Sequence, residues 1–328
     1  MNLSHHTDIT LIISVVVLLL LPAYASGHEP VVPASIESYQ LERLNQRILI
    51  VHGPQALPSP VTRGFMNNPA AILTNKGLIV VDPGSSIEIG NQFLDKLHAQ
   101  TDKPVIAVFN THVHGDHWLG NQAIRQAYPD VPIYAHKRMI DRAKQGEGEN
   151  WIDLLNNMTK GATKGTRAIA PTIGLNGDET LDIDGVKLRI YHFGKSHTDH
   201  DILIEVIDAD SLFLGDVVAN KRVPSSDVPM DAYYKGQLNA IRQILKLPVK
   251  TFIPGHGKSG GKEIPEASLV FLERLYKKVQ QYFEQGLSDF EMKEKVVKDM
   301  SDYKDWHNFN ELGRVINHMY LQIEEESF

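Results

Sequence analysis

The sequence predicts an α/β fold, and three observations predict it. Short β-rich apolar runs alternate with amphipathic stretches from about residue 47 to 260. Strand, loop carrying histidine or aspartate, then helix recurs in both halves of that span, as two stacked halves would require. Beyond Gly261 the pattern is helical to the end.

The elements follow in order. RILIVHG (Arg47 to Gly53) and AAILTNKGLIVVDPG (Ala70 to Gly84) have strand composition, the second turning at Asn75-Lys76-Gly77. IEIGNQFLDKLHAQ places Ile87, Phe93, Leu94 and Leu97 on one helical face. PVIAVFN is a buried strand leading into THVHGDHWLGN, residues 111–121, after which a helical pattern to Ala127 and the strand VPIYAH follow. Between Lys144 and Asp178 the rhythm fails in a Gly-, Thr- and Asn-rich stretch, read as a long surface loop or lid with a short helix around Trp151 to Met158. ETLDIDGVKLRIYHFG, DILIEVIDADSLFLGD and VKTFIPGHG supply a second set of strands, with a helix from about Tyr233 to Leu245. The last helices carry apolar stripes suited to packing on a sheet. No fixed-period repeat is present.

Composition narrows the function classes. With 328 residues, 42% of them hydrophobic and 22% charged, the chain can bury a sizeable core. Its formal charge of -7, with Lys and Arg scattered rather than clustered, argues against nucleic acid as a partner. Cysteine is absent, so disulfides, thiolate ligands and a cysteine nucleophile are excluded, and any metal must use His, Asp or Glu. The run from Ile9 to Leu21 is apolar but shorter than the roughly 20 residues a membrane span needs. Ala23-Tyr24-Ala25 follows it in the A-x-A pattern of a secretory cleavage site. Residues 1–25 are therefore expected to be a signal peptide, and residues 26–328 an exported, periplasmic or secreted, single domain with 262–328 as a helical extension.

The segment THVHGDH puts three histidines and an aspartate into six positions. If the chain stays extended past Asn110, His112 and His114 point the same way, while Asp116 and His117 sit one step round at the start of the next helix. Two pairs of ligands then face two adjacent points. Further donors are expected at strand ends: His197 in GKSHTDHD, Asp216 in LFLGDVV, and His256 between two glycines in FIPGHG, where glycine permits the tight loop that lets chain segments converge. Four close donors without a cation would be a desolvation burden. Such nitrogen and oxygen donors suit zinc, and also admit iron or manganese. His52, His98, His136, His192, His200, His307 and His318 lack this context and are read as structural or solvated.

THVHGDH, HTDHD, LGDVV and PGHG, in this order and with GLIVVDPG upstream, resemble the metallo-β-lactamase superfamily over roughly residues 47–260. The resemblance implies a four-layer αββα metallo-β-lactamase sandwich with two Zn²⁺ per chain. One metal would be held by His112, His114 and His197, the other by Asp116, His117 and His256, with Asp216 bridging and Asp82 orienting a ligand. The best-known lactamases of this fold carry Cys or Ser where this chain has Asp216, so β-lactam hydrolysis is admitted but not implied.

The expected activity is binuclear zinc-dependent hydrolysis of a small-molecule ester, lactone, thioester or amide by a hydroxide shared between the metals, Asp116 relaying a proton and Asp116 and Asp216 acting as catalytic carboxylates. The alternatives are an iron-dependent sulfur-compound dioxygenase of the same fold and a non-catalytic metal-binding protein. Phe65, Trp118, Trp151, Lys221, Arg222, Tyr233 and Tyr234 are candidates for the substrate pocket, and residues 53–69 for a flap over it.

Overall fold

The computed structural model describes residues 35–224 and 231–327; the expected signal peptide lies outside them. Among the described residues, seven strands form one sheet in sequence order: β1 (Glu42–Arg43), β2 (Ile48–Ile50), β3 (Ala70–Leu73), β4 (Leu78–Val81), β5 (Val105–Phe109), β6 (Ile133–His136) and β7 (Ile173–Leu175). Five form the other, β8 (Thr180–Ile183), β9 (Val186–Tyr191), β10 (Leu203–Val206), β11 (Ser211–Gly215) and β12 (Thr251–Pro254), in the order β12-β11-β10-β9-β8. The helices are α1 (Ile87–His98), α2 (Gly115–Trp118), α3 (Asn121–Ala127), α4 (Lys137–Arg142), α5 (Gly148–Met158), α6 (Tyr234–Ile244), α7 (Glu263–Glu284), α8 (Asp289–Asp299) and α9 (Leu312–Glu326).

Alternation along the strands builds the four layers. Ile48, Ile50, Ile79, Val81, Ala107 and Phe109 face Leu188, Ile190, Ile204, Phe213 and Ile253 across the gap between the sheets. The intervening Leu49, Val51, Leu78, Val80 and Val108 point outward onto Ile89, Phe93 and Leu97 of α1 and Ala123 and Ile124 of α3. On the second sheet, Leu203, Leu212, Leu214 and Phe252 point outward onto α6, α7, α8 and α9. Strands covered on both faces read as continuous apolar runs, which is why LIVV and SLFLG carry no polar alternation.

Strand direction positions the site. Pairing is antiparallel from β1 to β4, then parallel for β4 with β5 and β5 with β6. In the second sheet only β11 and β12 run parallel. A parallel neighbour requires a crossover, supplied by α1 and by α6, and it leaves successive strands ending at the same edge. Asp82 follows β4 and His112 follows β5; Asp216 and His256 follow β11 and β12 in the same manner. Chemistry in such folds collects at carboxyl ends of strands.

Two local expectations are corrected. The stretch 144–178 is not a bare lid: besides the expected short helix, which is α5, a π-helical turn (Ala143–Glu147) and β7 occupy much of it, and irregular chain is confined to 159–172 and 176–178. Trp151 and Leu155, one helical turn apart, bury against Val113, Trp118 and Met139, and this apolar pair outweighs the glycine-rich composition. The chain also does not stay extended past Asn110. It bends at His112 and Val113, and His114 is already the residue that caps α2, so the rings of His112 and His114 meet edge to face at 4.7 Å rather than lying on one pleat.

Candidate metal centre

The seven side chains singled out in the sequence converge where the two sheets end. Ligand-capable atoms of His112, His114 and His197 lie within 4.8 Å of one another, as do those of His112, His117 and Asp216, and those of Asp116, His117 and His256. Asp116 and Asp216 each place a carboxylate oxygen 3.2 Å from Nε2 of His256 and 3.4 Å from Nε2 of His117. Asp216 also lies 3.8 Å from Nε2 of His197, whose Nε2 is 2.9 Å from Nδ1 of His114.

Each imidazole is aimed by the bond its other nitrogen makes. His117 donates from Nδ1 to Asp82 Oδ2 at 2.9 Å, which turns Nε2 toward the two aspartates. Asp82 accepts in addition from the backbone N–H of Thr111 at 2.9 Å and from its hydroxyl at 2.7 Å. With its own proton committed to Asp82, the Thr111 hydroxyl accepts from Nδ1 of His112 at 3.0 Å, leaving Nε2 of His112 free. His256 donates from Nδ1 to the carbonyl of Met66 at 3.0 Å. One buried carboxylate after β4 thus orients two histidines, one directly and one through Thr111. Thr111 was passed over in the sequence, although its place beside the first histidine was the signal available.

The approach of the β12 loop depends on Gly255. A Cβ there would lie 2.2 Å from Asp216 Oδ1 and 2.8 Å from His117 Cε1, so no side chain fits.

The donor set fits a cation. His112, His117 and His256 are fully or nearly fully buried, as are His114 and Asp116. Nε2 of His112, His114 and His117, Oδ2 of Asp116 and Oδ1 of Asp216 are buried without a hydrogen-bond partner among the described residues, a costly state for so many polar atoms unless something else binds them. Electrostatics agree. Burial, reinforced by His117, holds His112 well below the ordinary histidine range, and burial with His197 does the same to His114. Burial opposes charge on Asp116 and Asp216 as well, but His117 and His256 outweigh it and hold both carboxyls well below their usual range. The same contacts, working against burial, raise His117 well above the ordinary value. The metal-free centre is therefore anionic at its aspartates, with an acceptor nitrogen at His112 and His114, as cation binding demands.

A cavity opens onto His114, Asp116, His197, Asp216 and His256. Among the sequence candidates for its wall, Trp151 and Arg222 line it, and Leu57, Pro58 and Met66 of the 53–69 segment cover it. The rest do not. Phe65 and Trp118 are core residues, the Trp118 indole donating to the carbonyl of Val113, and Tyr234 is buried beside His318. Tyr233 donates to Glu326 and Lys221 is exposed. Part of the remaining wall, Phe271, Leu272 and Trp306, comes from the helical extension. Sequence reasoning missed these three because an apolar stripe facing a cavity looks identical to one facing a sheet.

The metallo-beta-lactamase superfamily profile matches residues 62–256, more than half of the chain, and the chain belongs to that family. It is therefore a metal-dependent hydrolase by family. The metallo-beta-lactamase type 2 of a Bacillus species is 24% identical over 200 residues, covering 60% of this chain and 68% of that one. The linear primary-alkylsulfatase of a Pseudomonas species is 23% identical over 254 residues, covering 67% of this chain; the chain spans 48% of that protein's length. A double mutant of the sec-alkyl sulfatase PisA1 shares the fold with a TM-score of 0.67 at 17% identity, over 87% of this chain and 50% of that one.

Proposed function

We propose that the protein is a binuclear zinc hydrolase acting on an ester, lactone, thioester or amide, with β-lactams within the range of the chemistry. One observation carries the reading: five buried ligand atoms without hydrogen-bond partners among the described residues, from strand ends of both sheets, cluster beside a cavity that His114, Asp116 and Asp216 line. His112, His114 and His197 would hold one ion and Asp116, His117 and His256 the other, with Asp216 between them. Zinc held there would supply Lewis acidity, able to lower the pKa of a bound water to about 7 and to polarise the scissile group.

The chain's own residues do the rest. Asp82 fixes the tautomer and direction of His117 and, through Thr111, of His112. Asp116, held ionised and beside the cavity, takes the proton released as water attacks and passes it toward the leaving group. Trp151, packed against His114 at 5.0 Å between ring centroids, shields that side of the floor from solvent. Export to the periplasm or medium, proposed from the apolar run and Ala23-Tyr24-Ala25, predicts a mature terminus at Ser26 by amino-terminal sequencing.

The test is metal quantification on the purified protein with a panel of aryl esters, lactones, thioesters and lactams. Two zinc ions per chain with turnover supports the proposal. One iron with oxygen uptake supports the sulfur-compound dioxygenase instead, and bound metal with no turnover supports a binding role. Asp116→Ala should fold yet lose turnover by about 100-fold or more, the scale of general acid–base catalysis. Full activity in that variant contradicts the proton relay.

A further inference from the structure

The cavity above the metal centre combines apolar walls with one buried cation. Arg222 is only 5% exposed and lines the cavity with Asp116 and Asp216. Its guanidinium makes one long hydrogen bond, from Nη1 to Gln55 Oε1 at 3.4 Å, and no ion pair within 4.0 Å among the described residues. A guanidinium in that setting is under-used, since its fork suits a bidentate oxyacid partner. The position is built rather than incidental. The backbone of Arg222 pairs with His307, whose N–H donates to Lys221 and whose carbonyl accepts from Val223 at 3.0 and 2.9 Å, so the helical extension fixes the residue at the cavity wall. A second donor belongs to the same lining: Trp151 is 5% exposed, and its indole Nε1–H is buried and has no hydrogen-bond partner among the described residues.

Part of the wall is hydrocarbon. Phe271 and Leu272 of α7 and Trp306 beyond α8 contribute it, with Phe271 and Trp306 stacked at 4.8 Å. All three lie outside the matched family region of residues 62–256, so this part of the pocket is an addition to the shared hydrolase core. Burying an alkyl or aryl group there is favourable in proportion to its area.

We propose that the substrate is an amphiphilic anion, with an oxyacid group held by Arg222 and an apolar chain lying against Phe271, Leu272 and Trp306. The proposal rests on the hydrolase reading of the same cavity and adds the class of molecule that enters it. The oxyacid is a carboxylate next to the scissile bond or a sulfate that is itself the scissile group, and the two share the chemistry that a guanidinium recognises.

The experiment is calorimetric binding of non-hydrolysable probes to the full mature protein, with and without zinc: decanoate, decane-1-sulfonate and uncharged 1-decanol below their aggregation concentrations, then the hexyl members. Either anion should bind at least tenfold tighter than decanol, and affinity should fall about two- to fourfold per methylene removed. The anion that binds tighter identifies the source of the oxyacid. Arg222→Leu should bring anion and decanol within about twofold of each other, while Phe271→Ala should flatten the chain-length series. If Arg222→Leu does not fold, Arg222→Lys serves, and loss of most of the preference is expected because ammonium lacks the fork. Equal affinity for anion and alcohol in the unaltered protein, or an unchanged preference in both Arg222 variants, overturns the proposal. Its failure is separable from that of the hydrolase reading. Zinc-dependent ester turnover without charge preference removes only this inference, whereas anion binding by a protein that never hydrolyses removes only the other.

Discussion

Asp82 shows how much one buried carboxylate controls. It accepts three hydrogen bonds, from the N–H and hydroxyl of Thr111 and from Nδ1 of His117. Asp82→Asn brings an amide N–H₂ where an acceptor is needed, freeing His117 to turn. We expect metal affinity to drop about 10- to 100-fold with little change in fold, measured by competition with a chromophoric chelator; unchanged affinity would contradict the orienting role. The protonation pattern gives a second prediction. His117 is raised well above its ordinary value, so its contribution to metal-free stability is full below about pH 6.5 and is lost as pH rises through that raised value. Asp116 and Asp216 are depressed, so theirs is present above about pH 3.9 and lost as pH falls through the depressed values. Burial depresses His112 and His114, so keeping them neutral costs stability as pH falls below about 6.5. Melting temperature of chelated protein should therefore decline into the alkaline range and, on the acid side, from about pH 6.5 downward with a further loss in strong acid, and zinc should suppress the alkaline decline because it takes the place of the His117 proton. A flat alkaline profile without metal would contradict the charge pattern. At this scale the sequence was unusually legible, because HxHxDH concentrates donors beyond any packing need. Arg222 and Trp151 stood among the pocket candidates, but nothing in the sequence separated them from Trp118 and Tyr234, whose burial comes only with the fold.

At the scale of elements, the site is a set of loops after strand ends, parallel neighbours for β4 and β5 and for β11 and β12 and an antiparallel strand, β9, before His197, and the turn after β12 is a tight one. Gly255→Ala would place a methyl group 2.2 Å from Asp216 Oδ1. Something must shift, and the nearest atoms belong to the centre itself. The expected outcome is a folded protein, checked by circular dichroism, that retains about half or less of its metal after dialysis; full retention and activity would show that the loop yields without disturbing the ligands. Strands and long helices were legible because alternation and 3.6-residue periodicity are strong over such lengths. In the 144–178 stretch the short helix at Trp151 to Met158 was legible and became α5, whereas the π-helical turn before it and β7 were not, since the burial of Trp151 and Leu155 against α2 and α4 is a tertiary contact that composition does not carry. The bend at His112 was likewise invisible, because the extended reading assumed that β5 continued into the motif.

At the scale of the whole molecule, the helical extension covers the outer face of the second sheet. Leu275 of α7 and Met319 of α9 are fully buried in the same cluster as Leu212 and Leu214 of β11. Leu275→Ala should cost about 2–5 kcal/mol, read from denaturant unfolding, and should shift one cooperative transition rather than split it. A separate early transition for the extension would contradict its being part of the core. The four-layer arrangement was legible through motif resemblance, while periodicity alone reached only an α/β fold. The role of the extension as a pocket wall was hidden from both.

Zinc titration of the chelated protein, followed by calorimetry and elemental analysis, tests the central claim most directly. Two equivalents should bind to the unaltered chain, and His256→Ala should retain one, held by His112, His114 and His197. A single equivalent in the unaltered chain, or undiminished stoichiometry in His256→Ala, would contradict a shared two-ion centre.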